Sequence, residues 1–167
     1  MERRNNVSPL VDLKLLAHRS ILLSNILSVS VGFWTFIIFY TIPILARSPA
    51  PYGFGISPID TSYLLLPFAI VSLILGPTSG YIVSRVGSIL PVLFGTILVC
   101  GGFVSLIFFY YSAFFLPIDL IIVSAGIALT NVGSQNIVMQ STPRQSTGMS
   151  LAMTSLLKLI GSAMAHL

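Results

Sequence analysis

Lys158 is the side chain whose position most needs a chemical reason. It is the only formal charge in Thr147–Leu167, a run of 21 residues. As a helix that run spans about 31 Å, and Lys158 lies about 16 Å along it, near the middle of a bilayer core about 30 Å thick. An unpaired ammonium at that depth costs at least about 2.5–3.5 kcal/mol. It must strain toward an interface, face a water-filled cavity or meet a carboxylate. Asp60 and Asp119 both fall near the outer ends of apolar runs, so neither reaches that depth. An acidic partner would belong to another chain or to the substrate itself.

Four other side chains invite a ligand reading: Asn25 and Trp34 in one apolar run, Asn131 and Gln135 in another. The amides need partners, supplied by a cavity or by an interhelical hydrogen bond. Trp34 suits packing as well as ligand stacking. Covalent catalysis is poorly served. Ser79 and His166 could make a nucleophile and base, but they fall at opposite ends of their runs, about 25 Å apart in depth. No HExxH, P-loop or dinucleotide fingerprint occurs. Cys100 is the single cysteine, so neither a disulfide framework nor a CxxC metal site is available, and it reads as a small packing residue. We expect no enzyme, no metal and no cofactor.

Composition says what must position these residues. Charged residues are 7% of the chain, hydrophobic residues are 55%, and the mean hydropathy is +0.98. Soluble domains carry about 25% charged residues. Twelve charges cannot hide this much apolar surface from water, so the chain belongs in a lipid bilayer. The net charge of +4 does not point to nucleic acid, because the basic residues are scattered at the ends of apolar runs.

Those charges cut the chain into membrane-sized pieces. Ser20–Ala46 is 27 residues without a charge, too long for a secretory signal of about 7–15 apolar residues. Pro49, Pro51, Gly53 and Gly55 make the next segment a loop. Arg85 and Asp119 are separated by 33 uncharged residues, room for one span, a short connection at 112–116 and the start of another at Pro117. The spacing predicts an all-α, polytopic membrane bundle of about five spans, at 20–46, 58–83, 89–111, 117–141 and 147–167, after a cytoplasmic segment 1–19. With the N-terminus cytoplasmic, Arg3, Arg4, Lys14, Arg19, Arg85 and Arg144 all fall inside and only Arg47 outside. Tyr40, Tyr63, Tyr110 and Tyr111 then line the outer interface. The odd count, with no sixth span, predicts a truncated chain.

Helical spacing sorts the polar residues into faces. Ser24, Ser28, Gly32 and Thr35 share one, Ser124, Ala128, Asn131 and Gln135 another, with Asn136 beside it. Gly148, Ala152, Ser155 and Ser162 form a small-residue face suited to close helix packing. The third span is mostly Gly and large apolar residues and reads as a scaffold helix. Between the second and third spans, Gly76–Ser88 holds one Arg and no acid. It reads as a tight loop bracketed by Gly80 and Gly87, with Arg85 at the lipid headgroups.

That hairpin resembles the signature loop of the major facilitator superfamily, which runs Gly, three residues, Asp, Arg, one residue, Gly and a basic residue. Gly80, Arg85 and Gly87 match; Ser84 stands where Asp is usual and Ser88 where the basic residue is. Pro143-Arg144 followed by Gly148 through Gly161 is similar to a segment of the drug-efflux branches, with Lys158 in its basic position. Pro9–Leu13 with Leu15-Leu16 resembles the lead into the C-terminal half of fourteen-span drug:proton antiporters.

The resemblance implies the first five helices of a six-helix half, with the first and fourth spans lining a central cavity. The second and fifth spans would lie where the halves meet, and Gly80, Ser84, Arg85 and Gly87 would form a conformational latch. It implies a plasma-membrane, multi-pass, partial transporter that exports drugs or small solutes once completed by a missing or separately encoded half. The other reading is a non-transport membrane subunit that docks through its small-residue faces.

Overall fold

Five α-helices follow one another: α1 Arg19–Arg47, α2 Pro58–Val86, α3 Ile89–Phe109, α4 Phe115–Ser141 and α5 Thr147–Met164. A computed structural model describes residues 19–49, 51–109, 114–144 and 146–166, all in helices or short connections without a strand among them. The expectations for segment 1–18, Tyr110, Tyr111 and Leu167 lie outside these residues. α1 to α4 are each long and apolar enough to cross a membrane. α5 has 18 residues and carries Thr154, Ser155, Lys158 and Ser162 among its apolar side chains. The molecule is an all-α membrane helix bundle.

Local chemistry sets the helix ends. Ser57 caps α2: its hydroxyl accepts from the Asp60 amide at 3.2 Å and donates to the Asp60 carboxylate at 2.7 Å. Pro58 occupies the first turn, where no intrahelical N–H is needed. The chain before it folds back on the end of α1, with the amides of Phe54, Gly55 and Ile56 donating to the carbonyls of Leu45, Ser48 and Ala46.

The far end of α2 corrects the expected hairpin. The helix runs three residues beyond Val83, to Val86, so Gly80, Ser84 and Arg85 are helical and the turn is only Gly87-Ser88. A lone glycine costs a helix only about 1 kcal/mol, which Gly80 does not make decisive. Gly87 ends the helix because its φ of +85° suits glycine, and its amide donates to the Val83 carbonyl at 3.0 Å.

α4 is the hub, packed against α1, α2 and α3, and α1 in turn packs against α5. Glycines allow the closest crossings. A Cβ on Gly32 of α1 would land on the Lys158 carbonyl of α5, and one on Gly161 would land on the Val29 carbonyl. Gly95 and Gly126 face each other between α3 and α4 in the same way, the carbonyl of each standing where the other's Cβ would go. Side chains then pin the crossings. Ser124 donates to the Phe68 carbonyl at 2.9 Å and bonds the Ser72 hydroxyl at 2.8 Å, joining α4 to α2. Ser162 donates to the Gly32 carbonyl at 3.1 Å, and Thr154 to Asn25 Oδ1 at 3.1 Å, joining α5 to α1. Val31, Ile38, Phe68, Leu120 and Val123 fill the space between α1, α2 and α4. Leu73, Ile97 and Leu159 point outward, as lipid-facing side chains should.

Two faces differ from the sequence reading. Gly148, Ala152 and Ser155 are exposed, and α5 packs instead through Thr154, Gly161 and Ser162, because Gly161 is the residue that admits the α1 backbone. Cys100 is exposed too, since α3 turns Gly95, Val99 and Gly102 toward α4.

Gly32→Ala should lower stability by about 1–3 kcal/mol through overpacking. Gly101→Ala, in the open on α3, should raise it by about 0.5–1 kcal/mol. Equilibrium unfolding in mixed micelles measures both, and equal effects would contradict the close crossing. In the same assay a double-mutant cycle of Asn25→Leu and Thr154→Val should give a coupling of about 0.6 kcal/mol. Strict additivity would mean that the bond contributes nothing.

Candidate functional site

Lys158 sits at the crossing of α5 with the middle of α1. Gly32, whose missing side chain admits the Lys158 backbone, is residue 14 of the 29 in α1. The register of α5 is fixed there from two sides, because Gly161 is pressed against Val29 one turn later. Lys158 is half-buried and lies on the side of α5 that carries Thr154, Gly161 and Ser162. Leu156, Leu159 and Ile160, each more than half exposed, take the opposite side. The carboxylates among the described residues are Asp60 and Asp119, in the first and second turns of α2 and α4. They stand at one end of the bundle, far from the middle of α1.

Asn25 lies two turns before Gly32 on α1 and is buried against α5 through its bond with Thr154. It therefore shares one interface with Lys158. The other hydroxyls of its face are satisfied locally: Ser24, Ser28 and Thr35 each donate to the carbonyl four residues back. That arrangement removes the cost of a hydroxyl in lipid without needing a partner helix. On α4, Gln135 donates to Asn131 Oδ1 at 3.3 Å, so the two amides form one half-buried pair, one turn apart. Trp34 packs against the apolar cluster of Val31, Ile38 and Phe68. Ser124, expected on the same face as the α4 amides, is fully buried against α2.

The hairpin residues form a separate group at the end of α2. Ser84 donates to the Tyr81 carbonyl at 2.7 Å, and the Arg85 guanidinium lies 5.3 Å from the Tyr81 ring centre. Both are exposed, as is Gly87. Ser88 is buried and donates to Asn136 Oδ1 at 3.1 Å. The same oxygen accepts from Gln140. Gly133 lies beneath the turn, where a Cβ would meet Val92 and come within 3.1 Å of the Ser88 carbonyl. The turn is thus seated on α4 through Gly133 and Asn136, the latter one residue from Gln135 and five from Asn131.

Sequence reasoning missed three of these features. Thr154 is an ordinary polar residue until its partner Asn25 is seen, and Asn136, placed beside the α4 amides, gives no sign of its bond to Ser88. The third is Asp119, expected near the outer face and found 3% exposed, with Oδ2 accepting no hydrogen bond among the described residues. Its signal was available in the pattern, since Leu116, Leu120 and Val123 place it at the edge of the most buried face of α4.

A family model described as Major Facilitator Superfamily matches residues 2–166. Multidrug resistance protein Stp of Mycobacterium tuberculosis is 27% identical over 163 residues, which are 97% of this chain and 29% of that protein; the proteins of strains CDC 1551 / Oshkosh and H37Rv match alike. Uncharacterized transporter YebQ of Escherichia coli K12 is 26% identical over 111 residues, 65% of this chain and 24% of that protein. The chain thus spans less than a third of the curated relatives it matches. No solved structure matches. With nearly every residue inside the family match and an all-α bundle of long apolar helices, the chain is a multi-pass membrane protein that belongs to the Major Facilitator Superfamily.

Proposed function

We propose that the chain is part of a small-molecule exporter of the multidrug type, working by alternating access when completed by a second half. The observation that carries this reading is the match across 97% of the chain to a protein named for multidrug resistance. α1 and α4 line the central cavity, with Lys158, Asn25, Asn131, Gln135 and Trp34 as the residues that substrate meets. α2 and α5 face the other half. The N-terminus is cytoplasmic, the membrane is the plasma membrane, and the Gly80, Ser84, Arg85 and Gly87 hairpin end of α2 is the latch between states.

The geometry suits this work. Alternating access rocks one rigid body against another around a midplane site. The glycine crossings of α1 with α5 and of α3 with α4 leave no slack for helices to slide within the body. Seating of the α2–α3 turn on α4 through Ser88 and Asn136 lets the latch move with the helix that bears the amide pair. The alternative of a docking subunit is less well served, because Gly161 and Ser162 are spent on α1 within the chain.

Lys158→Ala, placed in the completed transporter, should lower substrate efflux by at least about tenfold while membrane insertion is unchanged. Efflux from inverted vesicles, normalised to the amount of inserted protein, measures it. Flux equal to the unsubstituted protein would sink this assignment.

A further inference from the structure

We infer that Lys158 holds the oxyanion of the transported molecule, so that the substrate class includes small organic acids. The inference rests on the proposed transport cavity and adds the chemistry of what enters it. Four observations converge. Lys158 crosses α1 next to its midpoint, at Gly32, so about 15 Å of apolar core lies on either side. A lysine side chain reaches about 6 Å, too short to bring its ammonium to either interface. α5 cannot turn the side chain toward lipid, because Gly32 and Gly161 lock its register against the carbonyls of Lys158 and Val29. The strongly exposed side of the helix is taken by Leu156, Leu159 and Ile160.

No countercharge stands at that level among the described residues. Among the described residues the carboxylates are Asp60 and Asp119. Asp60 is engaged by the Ser57 cap, and Asp119 stands in the second turn of α4 at the end of the bundle. Nor does an aromatic ring serve; the cation–π contact among the described residues is that of Arg85 with Tyr81. A half-buried ammonium without a partner is costly in lipid, and a carboxylate, sulfonate or phosphate removes that cost with a charge-assisted hydrogen bond. Thr154 and Ser162, which share its side of α5, are engaged by Asn25 and Gly32 of α1, so Lys158 is the polar group of that side left for a ligand.

Photolabelling with 4-benzoylbenzoate and its neutral amide tests this on the full chain, both purified in detergent and in the native membrane. The acid should label α1 or α5 near Lys158 saturably in both settings, as mapped by mass spectrometry, and the amide should not. Lys158→Gln should weaken labelling by at least about tenfold and Lys158→Arg should retain it, with circular dichroism confirming that both variants stay helical. Equal saturable labelling by acid and amide would leave the cavity in place and overturn the anion assignment. Acid labelling of the purified chain that vanishes in the native membrane would overturn it as well, because a carboxylate side chain of a neighbouring helix would then hold Lys158. Absence of saturable labelling by either compound would overturn both the anion site and the cavity on which it rests.

Discussion

A helix already surrounded by lipid gains little by burying one more leucine against another helix, so the bundle depends on how closely its backbones approach. Gly32 and Gly161 provide that approach between α1 and α5, and Gly95 and Gly126 provide it between α3 and α4. At these points carbonyl oxygens occupy the space that any side chain would need. The dispersion contacts of two backbones in register, together with short side-chain bonds such as Ser162 to Gly32, replace the hydrophobic effect that would hold a soluble bundle together. The placement of every other residue follows. Because α5 can meet α1 in only one register, Lys158 has only one side of the helix on which to sit.

The same constraint sorts the polar residues into those that are spent and those that are free. Hydroxyls inside lipid must be satisfied by protein, and most are: Ser24, Ser28, Thr35, Thr96 and Thr130 donate to the carbonyl one turn earlier. Ser124, Ser162 and Thr154 reach across to another helix. What remains is Lys158, whose charge no carboxylate among the described residues balances, and the Asn131–Gln135 pair, which holds more hydrogen-bonding capacity than one mutual bond uses. That small unspent polar remainder near the centre of a packed scaffold is what the proposed transport cavity rests on. Asp119 is a different case, buried at the bundle's end with one oxygen unpartnered among the described residues.

Much of the architecture could be read from charges, because lipid lets few of them into a span. Arg19, Arg47, Asp60 and Arg85 marked the helices within a few residues. The errors have a common cause: sequence spacing shows that residues share a face but not which neighbour that face meets. Gly148, Ala152 and Ser155 do share one, yet it is exposed, and Gly161 determined the packing instead. Helix ends were misjudged where a glycine was given the power to break a helix. Gly80 lacks it, while Gly87 ends α2 through its positive φ. Of the proposed site, the position of Lys158 midway along the bundle was legible from spacing. The Asn25–Thr154 and Ser88–Asn136 bonds were not, since each joins residues far apart in the chain.

The most direct test of the account is whether water reaches position 158. Lys158→Cys and Leu159→Cys, each in a Cys100→Ser background and reconstituted into liposomes, can be titrated with a charged, membrane-impermeant maleimide. Thiol alkylation needs the thiolate and therefore water, so a cavity-facing cysteine at 158 should react at least about tenfold faster than a lipid-facing one at 159. Equal, slow reaction at both positions would place Lys158 in lipid and contradict the account.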